Sequence, residues 1–285
     1  MEHFETNNRQ EKTFDEQFQV KKEIESGGVS VEFVDLIPEN QKTDVVCVFA
    51  PGWGETPETL RESLRVLYES GRRAVSLKHS RQQNEISVDE DEFGNEKQKS
   101  SAISDVIEEC HIEKVDGIGH SEGAINILLA AQEHPEKFRS IILIAPAGLI
   151  GKDGFFALIG RFLTNIKESA KRMMKEKEST ESLARSAKET AKYIARNPKK
   201  SMEEAYEISE SQTEEILKDL HSKGIKIIII HGVDDPVFPM ERMQEILKAG
   251  SVDGFYSVKG DHNEIYVSPQ KYAKVVDSAL DAIEK

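Results

Sequence analysis

Apolar and polar positions alternate through residues 18 to 36, FQVKKEIESGGVSVEFVDL, on either side of Gly27 and Gly28. This pattern predicts an antiparallel hairpin with one wet face. Downstream, the alternation gives way to short runs that are apolar almost throughout, at 44–52, 72–79, 114–120, 140–148, 225–232 and 253–260. Runs of that kind belong to strands covered on both faces. Helical periodicity fills the intervals, predicting helices over 58–70, 97–110, 122–133, 239–249 and 269–284. Strands alternating with helices specify an α/β fold, a mostly parallel central sheet with helices on both faces.

One connection is too long to be a loop. Between the strand ending near Gly148 and the one starting at Ile225, apolar residues recur near a helical period at Phe155, Ile159, Phe162 and Ile166, and again at Leu183, Ala187, Ala191 and Ile194, before the breaker pair Asn197 and Pro198. Residues 149–222 therefore read as a helical insertion between the two parts of a core, 17–148 and 223–285. The run KESAKRMMKEKEST within it reads as the solvated side of those helices. The polar segment 1–16 is expected to be loosely ordered.

Composition narrows the class of partner. A net charge of -14 disfavours nucleic acid and anionic membrane surfaces on long-range electrostatics. No apolar run approaches the roughly 18 residues of a membrane helix. The first residues lack the basic and apolar regions of a secretory leader, so a cytoplasmic location is expected. The widely spaced Cys47 and Cys110 read as reduced packing residues rather than a disulfide or zinc site.

Candidate chemistry begins at VDGIGHSEGAINILLAA, where Gly119, Ser121 and Gly123 form G-x-S-x-G between an apolar strand and a helix. The spacing makes a sharp strand-to-helix turn that thrusts out the serine hydroxyl. Serine before an apolar helix is equally a good N-cap. A nucleophile needs a base and a group to orient that base. HGVDDPVFP puts Asp234 and Asp235 in a proline-flanked turn at the carboxyl end of a strand, and KGDHNEIY puts His262 in a loop before the last helix. Open α/β sheets gather reactive groups at those ends. Among the other histidines, His120 and His231 border strands and read as packing residues, while His79 sits at a strand end that could line a pocket. GIGHSE is no dinucleotide fingerprint, because its last glycine position is Glu122.

From about residue 29 to 285 the chain resembles a lid-bearing α/β-hydrolase, carried by GIGHSEG, HGVDDPVFP, GDHNE and FAPGWGE in that family's context, with the nucleophile, acid and base in its order. The resemblance implies Ser121 as nucleophile and His262 as base. It favours Asp235 over Asp234 as the acid, being three residues after Gly232 and directly before Pro236. It implies the backbone N–H groups of Trp53 and Glu122 as the oxyanion hole, residues 149–222 as a lid, and no cofactor or metal. The Trp53 side chain itself reads as a core or rim aromatic. Members usually carry His-Gly where this chain has Pro51-Gly52. The expected reaction is hydrolysis of a small-molecule carboxylic ester or lactone through an acyl-enzyme. The alternatives are an aminopeptidase of the proline-iminopeptidase kind, with Glu203 and Glu204 holding a substrate amine, an acyltransferase, and a non-catalytic receptor. An aspartate nucleophile, as in dehalogenases and epoxide hydrolases, is excluded by Ser121. The segment FFALIGRFL could face an acyl chain or pack on the sheet edge.

Overall fold

A computed structural model describes residues 12–79, 94–149, 154–175, 180–248 and 250–285. The sheet has eight strands: β1 Lys22–Ser26, β2 Val29–Leu36, β3 Val46–Ala50, β4 Ala74–Lys78, β5 Val115–His120, β6 Phe138–Ile144, β7 Lys226–Gly232 and β8 Gly254–Val258. Their order is β1-β2-β4-β3-β5-β6-β7-β8. The first two pairings, β1 with β2 and β2 with β4, are antiparallel, and all later ones are parallel. The hairpin turns at Gly27 and Gly28, with φ of 56° and 79°, the left-handed pair that a two-residue turn requires.

Alternate residues of each central strand enter opposite cores. Val46 and Val48 of β3, Ile141 and Leu143 of β6, and Ile227 and Ile229 of β7 join one cluster. Cys47 and Phe49, Ile142 and Ile144, and Ile228 and Ile230 join the other. Two-sided burial is the reason these segments are apolar throughout. The helices over the first core include α3 (Gly94–Glu109), α4 (Glu122–Glu133), α8 (Glu214–Ser222) and α9 (Met240–Lys248). Those over the second include α1 (Phe14–Gln19), α2 (Arg61–Glu69), α10 (Glu264–Val267) and α11 (Pro269–Ile283). The long connection is helical, with α5 (Phe155–Lys175), α6 (Thr180–Arg196) and α7 (Pro198–Glu210) preceding α8. Pro198 stands in the first turn of α7, where its missing N–H costs nothing.

The start of the chain differs from expectation. Residues 1–11 of the segment read as loose lie outside the described residues, as does part of the charge run at 176–179. Thr13, however, caps α1: its side chain accepts from the Glu16 N–H while Glu16 reaches back to the Thr13 N–H. Phe14 and Phe18, one turn apart, are buried beneath it. Cys47 and Cys110 are free thiols. Among the described residues no helix is long and apolar enough to cross a membrane.

Candidate active site

β5 ends at His120 and α4 begins at Glu122, so Ser121 alone makes the turn, with φ 53° and ψ -119°. A left-handed φ at a non-glycine residue costs on the order of 1–3 kcal/mol and persists where its surroundings enforce it. Here the Ser121 N–H donates to the Ile144 carbonyl at 3.0 Å, and the Ser121 carbonyl accepts from Ala124 and Ala147, each at 3.1 Å. The two glycines let the helix press onto the sheet. A Cβ on Gly119 would stand 2.5 Å from the Gly123 carbonyl oxygen, and one on Gly123 would stand 2.6 Å from that of Pro51. Ser121 makes no side-chain cap bond to α4, which leaves its hydroxyl free of the capping role.

That hydroxyl points at His262. Ser121 Oγ lies 3.0 Å from His262 Nε2, and His262 Nδ1 lies 2.9 Å from Asp235 Oδ2. The second oxygen of Asp235 accepts from the N–H groups of Val237 at 2.7 Å and Phe238 at 3.0 Å, fixing the carboxylate in its turn. Burial pushes the Asp235 carboxyl up, but the facing His262 imidazole, His231 and the Phe238 N–H outweigh it and hold the group below the usual carboxylate range. Asp234 points outward and is exposed. Asp235 is therefore ionised, oriented and within hydrogen-bond reach of an imidazole whose other nitrogen faces the Ser121 hydroxyl.

His120 and His231, read from sequence as packing residues, support the site from beneath. Burial, with the nearby His262 charge adding to it, lowers His120 to about 3, so it is neutral. The Tyr266 hydroxyl, 3.0 Å from Nδ1, donates to it, and Nε2 donates to the His262 carbonyl at 3.3 Å, an arrangement that steadies the histidine loop. His231 Nε2 donates to the Phe238 carbonyl at 2.8 Å, bracing the acid turn. His79 lines a separate small pocket beside Lys99 and Glu122 rather than the space at Ser121.

Ser121 and His262 open onto a mostly apolar cavity of about 220 Å³ that Trp53, Phe162, Leu183 and Ile194 help to line. The two readings of FFALIGRFL divide by residue: Phe162 packs edge-on against Trp53 with centroids 5.5 Å apart, Leu158 enters the core, and Phe156 is 87% exposed. One carboxyl also faces this cavity. Glu55 accepts from Ser186 and Thr190 of α6 through Oε1, whereas its buried Oε2 has no partner. The neighbouring Thr59 hydroxyl gives its proton to the Thr56 carbonyl instead, at 2.7 Å. Burial raises Glu55 to about 7.

Glu122 directly follows Ser121, and Trp53 lines the same cavity as Ser121. Gly52 presses so close that a Cβ there would stand 3.4 Å from Ser121 Cβ, and Glu122 is the first residue of α4, where the amide has no acceptor inside the helix. Their side chains hold what sequence reasoning missed. Trp53 Nε1 donates to Glu204 at 3.0 Å, and Glu122 is buried against Lys99 at 2.6 Å. Glu203 is half-exposed, 3.6 Å from Lys199.

A family model described as serine aminopeptidase, S33, matches residues 98–256. No curated protein compared with the chain matches it. Among solved structures it is similar to a carboxylesterase of Nitrososphaera gargenis, at 18% identity and TM-score 0.69 over 92% of this chain and 99% of that one. It is similar to a bacterial membrane phospholipase A, at 14% identity and TM-score 0.69 over 93% and 87%. A proline iminopeptidase of Mycobacterium smegmatis is similar at 13% identity and TM-score 0.64 over 93% and 98%. At these identities the likeness is one of fold.

Proposed function

This chain belongs to the serine aminopeptidase S33 family of α/β-hydrolases, and on that premise we propose that it cleaves a carboxylic ester or lactone with an apolar acyl part through an acyl-enzyme on Ser121. The observation that carries the reading is the continuous chain from Ser121 Oγ through His262 to Asp235, opening onto an apolar cavity. His262 takes the hydroxyl proton as Ser121 attacks the acyl carbon, and Asp235 holds the imidazole with Nδ1 protonated and stabilises its cation. The amides of Trp53 and Glu122 receive the developing oxyanion. His262 then returns the proton to the leaving alcohol, and water releases the acyl group by the same steps reversed. Each oxyanion donor is worth about 2.7–4 kcal/mol in sites of this kind. The insertion is read as the lid, since α5 and α6 line the cavity.

Glu204 does not favour the aminopeptidase alternative, because its carboxylate is already engaged by Trp53, Tyr193 and Lys99. Glu55 does favour it: its carboxyl lines the same cavity as Ser121 and has one unpartnered oxygen, which could pair with a substrate amine. A panel of nitrophenyl esters and lactones of varied acyl length, run beside aminoacyl arylamides, separates the two. Turnover of medium apolar esters, lost in Ser121→Ala, supports the ester reading. Preference for arylamides, lost in Glu55→Gln, supports the alternative. No turnover that depends on Ser121 anywhere in the panel refutes both.

A further inference from the structure

Behind the cavity, three helices and one loop converge on a single cation. Lys99 Nζ of α3 lies 2.6 Å from Glu122 of α4, 3.0 Å from Glu204 of α7 and 3.3 Å from Glu96 of its own helix. All four residues are buried, Glu96 and Glu204 completely. The other oxygen of Glu204 accepts from Trp53 Nε1 at 3.0 Å and from the Tyr193 hydroxyl of α6, while Asn126 of α4 donates to Glu96. The spacings are helical: Glu96 and Lys99 on α3, and Glu122 and Asn126 on α4, each share a face. α7 is fastened a second time, one turn beyond Glu204. There Glu207 accepts from the Asn95 N–H at 3.0 Å, at the start of α3.

A chain of contacts thus runs from Trp53 through Glu204 and Lys99 to Glu122. Its two ends are the residues whose amides are read above as the oxyanion donors, and one of its two middle members, Glu204, belongs to the insertion. We infer that Lys99 and Glu204 are positioning residues that build the oxyanion site only when the helical insertion is seated. The inference rests on the reading of the Trp53 and Glu122 amides given under the proposed function. Unseating α7 removes the acceptor of the Trp53 indole and one of the three carboxylates around Lys99, so both donors lose their fixed positions together. Covering the substrate and completing the oxyanion site then become one event. Catalysis before closure is suppressed. The network carries more carboxylates than cations, and burial and the neighbouring carboxylates raise Glu122 and Glu96 above the usual range against the opposing pull of Lys99.

The test compares wild type with Glu204→Gln, Lys99→Met, Lys99→Arg and Trp53→Phe, each checked for folding by circular dichroism. Four quantities are read: kcat and KM on the best ester, inhibition by a trifluoromethyl ketone whose tetrahedral adduct occupies the oxyanion site, and acrylamide quenching of the fluorescence of Trp53, the chain's single tryptophan. Glu204→Gln and Lys99→Met are expected to lower kcat and ketone affinity by about tenfold with KM within about twofold, a loss of about 1.4 kcal/mol confined to the transition state. They also make Trp53 more quenchable. Lys99→Arg restores most of the loss. Trp53→Phe, which keeps the packing against Phe162 and loses the indole donor, reproduces the kinetic effect in a chain whose salt cluster is intact. Variants that fold and match wild type in kcat, ketone affinity and quenching overturn the inference and leave the reading of the amides standing. Failure of wild type itself to form the ketone adduct overturns that reading, and the inference with it.

Discussion

Replacing Glu55 by glutamine removes a carboxyl that burial raises from the ordinary 4.5 to about 7. At about 1.36 kcal/mol per pKa unit, ionising this group in the folded protein costs on the order of 3 kcal/mol relative to the unfolded chain. Because its folded value lies above its unfolded one, the stability tied to Glu55 is full below pH 4.5 and declines as pH rises toward about 7. Most of that decline, about 2–3 kcal/mol, falls between about pH 5 and pH 8. The glutamine side chain keeps the oxygen that accepts from Ser186 and Thr190 but has no proton to lose. The assay is urea unfolding of wild type and Glu55→Gln at intervals across that range, taking the difference at each pH so that every other titrating group cancels. The variant should gain about 2–3 kcal/mol on wild type between the acid and alkaline ends. A difference that stays within about 0.5 kcal/mol of constant would show that folding leaves the Glu55 carboxyl no harder to ionise than in the unfolded chain.

Asp235→Asn should fold normally and lose on the order of 10⁴ in kcat, since a carboxamide at this position favours the wrong imidazole tautomer. A loss under about tenfold in a steady-state ester assay would remove Asp235 from its role. Gly123→Ala should give little or no soluble protein, because the added carbon lands on the backbone of Ala50 and Pro51; a stable, active variant would contradict the turn geometry. Arg72, fully buried and 2.7 Å from both Asp277 and Glu284, ties the turn before β4 to the C-terminal half of α11 and its cap. Its replacement by methionine should cost about 2 kcal/mol or more at neutral pH. Arg72 helps to hold Glu284 and Asp281 below their usual values, so this deficit should shrink as acid protonates them, which thermal unfolding at pH 7 and pH 3.5 would show.

The sheet was readable from the chain because its central strands are covered on both faces, leaving no polar position to blur runs such as IKIIII. Ser121 was readable for a local reason, two glycines whose missing side chains let α4 meet β5. α1 carried a local signal too, Thr13 and Glu16 three apart beside Phe14 and Phe18, but its six residues sit in an otherwise polar stretch. What stayed hidden depends on residues far apart in the chain. The Trp53 indole finds its acceptor 151 positions away, and Glu122, a polar residue opening an apolar helix, is explained only by Lys99 on another helix. The position after Gly232 and before Pro236 favours Asp235 over Asp234 through the family resemblance, and the structure supplies the physical difference. The turn after β7 sends one to solvent and places the other beneath two backbone N–H groups and an imidazole.

If His262 makes Ser121 nucleophilic, a fluorophosphonate phosphonylates that hydroxyl. Digestion and mass spectrometry of the treated protein should find the phosphonyl mass on the peptide containing Ser121, absent in Ser121→Ala and at least about a hundredfold slower to form in His262→Ala. An unmodified Ser121 in folded protein, or labelling that proceeds equally fast without the imidazole, would contradict it.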